Sequence, residues 1–182
     1  MTARIAIVFF SGTGTAAALA EAVADGVGPG ADLQRLQGAD IVEGRYKATA
    51  ALEAVDGAAA VLFGSPTYMG GPAAEFKTFA DASSDRWSEQ RWAGKIAAGF
   101  TCGGFANGDQ SWTLGYFQVL ANQHGMLWCG LDLVGELPDG PNRLGCQAGA
   151  TAAVADGPPD AGDLATARHL GTRVARLVQL RA

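Results

Sequence analysis

Cysteine is scarce and poorly spaced for either of its structural uses: the 182 residues hold three, Cys102, Cys129 and Cys146, an odd number with no C-x-x-C pair. That excludes a zinc ribbon and a disulfide framework, leaves no metal site to expect, and points to a reducing, cytoplasmic setting. Long apolar runs are missing too. None approaches the ~20 residues of a membrane-spanning helix, and the N-terminus enters a strand without the basic segment and apolar region of a signal peptide, so membrane insertion is not expected. Positive charge is thin. Thirteen Lys and Arg face eighteen Asp and Glu, a formal net charge of −5. The arginines are scattered except for Arg168, Arg173, Arg176 and Arg181, which with His169 read as the solvated face of a last helix. Nucleic acid as a partner needs clustered cations and is excluded.

What the chain does have is apolar residues (48%) and glycine (26 residues). That composition suits one compact domain over residues 1–182. Apolar, β-branched runs recur at Ile5 to Phe10, weakly at Leu33 to Leu36 within an apparent strand from Ala31, and then at Ala58 to Gly64, Ile96 to Thr101 and Leu127 to Leu131. Between them lie segments of helical period: Ala16 to Val27 with Leu19, Val23 and Val27 on one face, then Ala50 to Val55, Ala73 to Ala80, Trp112 to His124 and Leu164 to Leu177. Alternating β and α with fully apolar strands predicts a doubly wound, five-stranded parallel sheet between two helical layers, flavodoxin-like, in the order 2-1-3-4-5. Trp112 and Trp128, in or beside regular elements, are expected in the core. The stretch 132–160, with four prolines, is too long for an ordinary connection and is expected to be an excursion or an oligomer contact.

In such a sheet ligands bind outside the carboxyl ends of the strands. The loop after the first strand is Ser11-Gly12-Thr13-Gly14-Thr15, followed by Ala16. Two glycines admit close approach of an anion, three hydroxyls can donate to it, and the following helix adds its N–H groups and dipole. No lysine or arginine occurs in the loop or in that helix, so Walker-type nucleotide hydrolysis is excluded. A phosphate monoester such as the tail of flavin mononucleotide (FMN) fits. So does the dinucleotide fingerprint G-x-G-x-x-A, although its acidic partner is poorly placed: Asp32 opens the apparent second strand and Asp40 lies beyond it. A glycine turn with no ligand is the third reading.

After the central strand, Gly64-Ser65-Pro66-Thr67-Tyr68-Met69-Gly70-Gly71 offers a stiffened turn, backbone donors, a ring and a thioether, the surroundings a planar amphipathic ring system wants. Thr101-Cys102-Gly103-Gly104 begins a third glycine-rich loop whose amides suit flavin carbonyls. With no cation beside it, Cys102 reads as a small buried thiol. His124 ends a helix, with Gly125 placed for a left-handed cap, and either faces flavin charge or only caps. Trp87, in the loop Ser83 to Arg91, either walls a substrate site or pins that loop.

Taken together, Ser-x-x-Gly in the first loop, Gly-Ser-Pro-Thr-Tyr-Met-Gly-Gly with Phe-Lys-Thr-Phe-Ala-Asp after it, and Gln-His-Gly-Met resemble the flavodoxin-like superfamily and, within it, the WrbA-type NAD(P)H:quinone oxidoreductases. The resemblance runs from Ile5 to about Met126. It implies FMN held by Ser11, Gly12, Thr13, Gly14, Thr15 and Ala16 at the phosphate, and by Pro66, Thr67, Tyr68, Met69, Thr101, Cys102, Gly103 and Gly104 at the ring. His124 beside the ring and Trp87 as its wall would act in catalysis, with the loop around Trp87 and the stretch 132–160 as the parts a neighbouring subunit would bring to the cleft. It implies NADH or NADPH as donor, a quinone or similar acceptor, and a homodimer or homotetramer. The alternative is a flavodoxin-type electron carrier with no substrate of its own. Thr13 stands where the family often has tyrosine, and Ala16 where the flavodoxin signature has threonine.

Overall fold

The computed structural model describes residues 3–181. The first β-branched run forms β1 (Ile5–Phe9), buried along its whole length as a strand covered on both faces must be. There follow α1 (Thr15–Val27), β2 (Ala31–Arg35) and a small hairpin of β3 (Ile41–Val42) and β4 (Arg45–Tyr46). Next come α2 (Ala50–Gly57), β5 (Ala60–Tyr68), a two-residue antiparallel companion β6 (Gly71–Pro72) and α3 (Ala74–Ala82). The segment expected to be a loop contains a short helix, α4 (Ser84–Ser88). The chain continues with β7 (Ile96–Gly103), α5 (Gln110–Gln123), β8 (Leu127–Trp128), β9 (Ala150–Ala153) and α6 (Ala161–Gln179).

The main sheet runs β2-β1-β5-β7, with both β8 and β9 on the outer edge of β7 and every one of these pairings parallel. β8 pairs with Ile96 and Ala97 at the start of β7, and β9 with Phe100 to Gly103 at its end. They are two halves of one fifth strand, so the expected order stands with its last strand split. The expectation placed that strand wholly within Leu127 to Leu131 and gave all of 132–160 to an excursion; the excursion in fact ends where Ala150–Ala153 re-enters the sheet. An Ala-Thr-Ala-Ala strand carries little β-propensity, which is why it escapes a reading by periodicity.

The excursion is pinned to α6. Arg143 Nε lies 2.8 Å from the buried carboxylate of Asp163, Asn142 N–H donates to Thr166 Oγ1 at 2.7 Å, and His169 Nε2 is 2.6 Å from Asp132. His169, expected on a solvated face, is a fastener for this segment.

Two cores flank the sheet. On one side α1 and α6 press Leu19, Val23, Leu170 and Val174 against β1, β5 and β7. They approach so closely that a Cβ on Gly26 would lie 2.0 Å from Arg168 O, and one on Gly171 2.2 Å from Val23 O. On the other side Phe63, Phe76, Phe79, Phe117 and Trp92 form an aromatic cluster, with the Phe76 and Phe117 centroids 4.7 Å apart. Trp92 is the fully buried tryptophan of this core, and Trp128, as expected, packs against it while partly buried. Trp112 is 76% exposed, contrary to expectation, because it sits on the outer face of the first turn of α5. Among the described residues no helix is long and apolar enough to cross a membrane.

Candidate functional site

The carboxyl ends of β1, β5 and β7 bring the three loops together around a cavity of about 260 Å³. Thr13 and Thr15 line it from the first loop, Pro66, Thr67 and Tyr68 from the second, and Cys102, Gly103 and Gly104 from the third. Val154, which sequence reasoning did not single out, closes it from beyond β9.

The first loop is built as an anion cradle. Gly14 caps α1 at φ 103, in the left-handed region that favours glycine. Ser11 is buried, and its Oγ accepts from Gly14 N–H at 3.2 Å and Ala17 N–H at 3.1 Å, tying the loop to the first helical turn. Its oxygen is thereby engaged, and its hydroxyl proton remains to donate. Among the described residues, the Gly12 and Thr13 amides and those of Thr15 and Ala16 at the helix start find no acceptor in the protein. Unpaired donors, two Thr side chains facing the cavity and a helix N-terminus are the complement of a phosphate ester. The fit to an FMN phosphate therefore stands on this chain's own donors. Tyr68 crosses from the second loop: a Cβ on Gly12 would lie 2.6 Å from its Oη, so a side chain there would displace the phenol.

Behind the cavity runs a directed chain of hydroxyls. Thr101 Oγ1 donates to Ser65 O at 2.7 Å, so it accepts from Thr67 Oγ1 at 2.9 Å, and Thr67 in turn accepts from Thr113 Oγ1 at 2.8 Å. This corrects the expected place of Thr101, which is buried one layer behind the site and acts by holding Thr67. Thr67 has spent its proton on this chain and offers its backbone to a ligand. The third loop is fixed by buried Gln110. Its Oε1 accepts from Gly108 N–H at 3.1 Å, and its Nε2 donates to Phe105 O at 2.9 Å and Ala152 O at 3.3 Å. A lone glutamine at a helix start gives no local hint of this role. Another contact hidden from the sequence reaches the first loop from β2, where Arg35 donates to Ser11 O at 2.9 Å.

Two sequence expectations, Met69 and His124, are corrected by position. The Met69 side chain stands wholly in solvent, at 104% relative exposure, on a left-handed turn with φ 49, so its thioether does not line the cavity. His124 is 1% exposed and lies at the opposite edge of the sheet, where the Gly94 amide donates to Gly125 O at 2.8 Å. Along β7 the two edges are about 23 Å apart at ~3.3 Å per residue. His124 bonds Ser83 Oγ at 2.9 Å and packs against Trp92 with the rings tilted, and burial lowers its pKa to about 4, the reverse of a charged imidazole beside flavin. Its neighbour Gly125 does take the expected left-handed cap, at φ 68. Trp87, on α4 at that same far edge and 47% exposed, does not wall the cavity of its own chain.

The cavity holds no group that titrates near neutral pH. Burial pushes the Cys102 thiol up to about 12, in line with its reading as an inert buried thiol, and the Tyr68 phenol is raised by burial and then by Cys102 and Glu75. The site can bind, orient and shield a planar anionic ligand. It is not built for acid–base or thiolate chemistry.

Fold and site together define a flavodoxin-like flavoprotein. The chain belongs to the family described as NADPH-dependent FMN reductase, whose model matches residues 7–131, and as a member it is an FMN-binding protein of the oxidoreductase class. It is 36% identical to Flavodoxin FldP of Pseudomonas aeruginosa and 34% identical to an NAD(P)H dehydrogenase (quinone) of Archaeoglobus fulgidus. In each case 97% of this chain is covered, with 97% and 98% of the respective relative. Among solved structures, the flavodoxin, WrbA-like protein from Agrobacterium tumefaciens superposes with a TM-score of 0.79 at 37% identity over 99% of both chains.

Proposed function

We propose that this protein is an FMN-dependent NAD(P)H:quinone oxidoreductase, a single cytoplasmic domain that works as a homodimer or homotetramer. The observation that carries the reading is the convergence of three loops on one cavity, with unpaired amides and Thr13 and Thr15 at one end and Gly103 and Gly104 at the other. The likeness to NAD(P)H dehydrogenases (quinone) supports the choice of reaction. Ser11, Thr13, Thr15 and the loop amides would hold the phosphate, while the backbone at Pro66–Thr67 and Gly103–Gly104 would face the ring. When bound, FMN would supply the redox chemistry, a two-electron exchange between NADH or NADPH and a quinone. Because burial raises the pKa of both Cys102 and Tyr68, both stay protonated at neutral pH and neither serves as a base or a thiolate; no side chain of the cavity need act as a general acid.

A carrier without its own substrate is the second reading, favoured by the likeness to Flavodoxin FldP. Carriers surround the flavin with carboxylates, whereas Asp109 is the sole carboxylate of the three loops. Anaerobic stopped-flow mixing with NADH and with NADPH separates the two. Direct bleaching of the flavin, reversed by a quinone, supports the reductase; no bleaching with either nucleotide leaves the carrier. Since Trp87 lies at the far edge of its own sheet, a tryptophan wall would have to come from a second copy. Light scattering beside quinone kinetics of Trp87→Ala tests that, and a fully active monomer indifferent to the change refutes it.

A further inference from the structure

A phosphate monoester is close to dianionic at neutral pH, yet neither the first loop nor α1 contains a lysine or arginine, and the chain carries a net charge of −5. The fold brings one cation to that loop from elsewhere. Arg35 is the last residue of β2, in register with Phe9 at the end of β1, and its guanidinium donates to Ser11 O at 2.9 Å. Most of the other arginines are neutralised: Arg4 by Asp32, Arg86 and Arg91 by Asp56, Arg143 by Asp163, Arg173 by Asp132. Arg35 has no ion-pair partner among the described residues. A guanidinium carries five N–H donors in a rigid fork, and one bond to a carbonyl leaves most of them and the whole charge unspent.

We propose that Arg35 supplies the counter-charge for the FMN phosphate, a role that rests on the flavin-binding reading of the loop. The amides and hydroxyls of Gly12 to Ala16 provide directed donors, and the guanidinium, clamped to the Ser11 carbonyl, provides the positive potential they lack. The clamp keeps a long side chain at the loop in the absence of ligand, so little ordering remains to be done on binding. Because the side chain is exposed, its contribution is screened by salt.

The test compares FMN with riboflavin, which lacks the phosphate, by fluorescence quenching on flavin-free wild type, Arg35→Gln and Arg35→Lys at low and moderate salt. Arg35→Gln is expected to weaken FMN by roughly 10-fold, to leave riboflavin unchanged and to flatten the salt dependence, while Arg35→Lys recovers most of the loss. Unchanged FMN affinity overturns the proposal, as does an equal loss for both flavins, which would make Arg35 only a brace for the loop. If Arg35→Gln keeps FMN but loses NADPH turnover and not NADH turnover, the guanidinium serves the dinucleotide's own phosphate and the assignment is again overturned. A wild type that prefers riboflavin or binds neither flavin marks failure of the underlying reading, distinct from the other outcomes.

Discussion

Acidification from pH 7 to 4 should remove about 3 kcal/mol of stability through His124 alone. Ser83 Oγ donates to Ala80 O at 2.7 Å, so toward His124 it can only accept, and the imidazole proton therefore sits on Nε2. Nδ1 is buried with no partner, against Trp92 at a centroid distance of 4.3 Å. A second proton would be placed there, in an apolar site, and burial accordingly lowers the folded pKa to about 4 against an unfolded value of about 6.5. The native state then binds fewer protons than the unfolded chain. The full contribution of neutral His124 is present above pH 6.5, declines as pH falls from 6.5 to 4, and changes no further below that. A gap of about 2.5 pH units at 1.36 kcal/mol each gives the ~3 kcal/mol. Urea unfolding of flavin-free wild type and His124→Gln at pH 7, 6, 5 and 4.5 isolates the effect, because every other titrating group is common to both. The variant should be the less stable at pH 7, having lost the ring contact with Trp92, and the difference should close or reverse in acid. A wild-type to variant difference that stays constant across the series refutes the reasoning.

Three further outcomes follow from the same geometry. Gly26→Ala or Gly171→Ala should cost about 3 kcal/mol, seen as a lower urea midpoint, since each Cβ meets backbone oxygen at 2.0 Å or 2.2 Å and only a shift of α1 from α6 relieves it. Gly12→Ala should weaken FMN roughly 10-fold by displacing the Tyr68 phenol, and the pair Gly12→Ala with Tyr68→Phe should recover part of that loss in a titration of the four proteins, because the 2.6 Å clash is with the Tyr68 oxygen. At pH 8 a thiol reagent should label Cys146 in the native protein and all three cysteines in urea; Cys102 and Cys129 are buried with thiol pKa values pushed up, whereas Cys146 is partly exposed.

Local chemistry and the strand order are legible in the sequence; the side chains that reach the site from distant elements are not. The cradle Ser11 to Thr15 could be read because turn glycines, hydroxyls and the start of a helix act within five residues of one another. The sheet order could be read because β-branched runs alternated with helical periods. Arg35, Gln110 and Val154 could not be read, since each reaches the site from an element whose own pattern says nothing about the loop it serves. Trp112 misled because lying within a helix does not fix which face a residue occupies.

His124 is a different case, for its distance from the cavity of its own chain was already decidable from the alternation itself. In a parallel sheet every strand ends at the ligand edge, and every following helix carries the chain back to the other one. α5 spans 14 residues, about 21 Å at ~1.5 Å per residue, so its last turn must lie at the amino edge of the sheet. The same holds for a short helix following α3. Residues at helix C-termini thus cannot reach the cofactor of their own chain in this architecture. In this chain the histidine of Gln-His-Gly-Met is spent on Ser83 and Trp92 in the core. What remains for catalysis within one chain is a set of hydroxyls, amides and glycines at the ends of β1, β5 and β7. That set binds and orients, and it leaves electron transfer to the flavin it is shaped to hold.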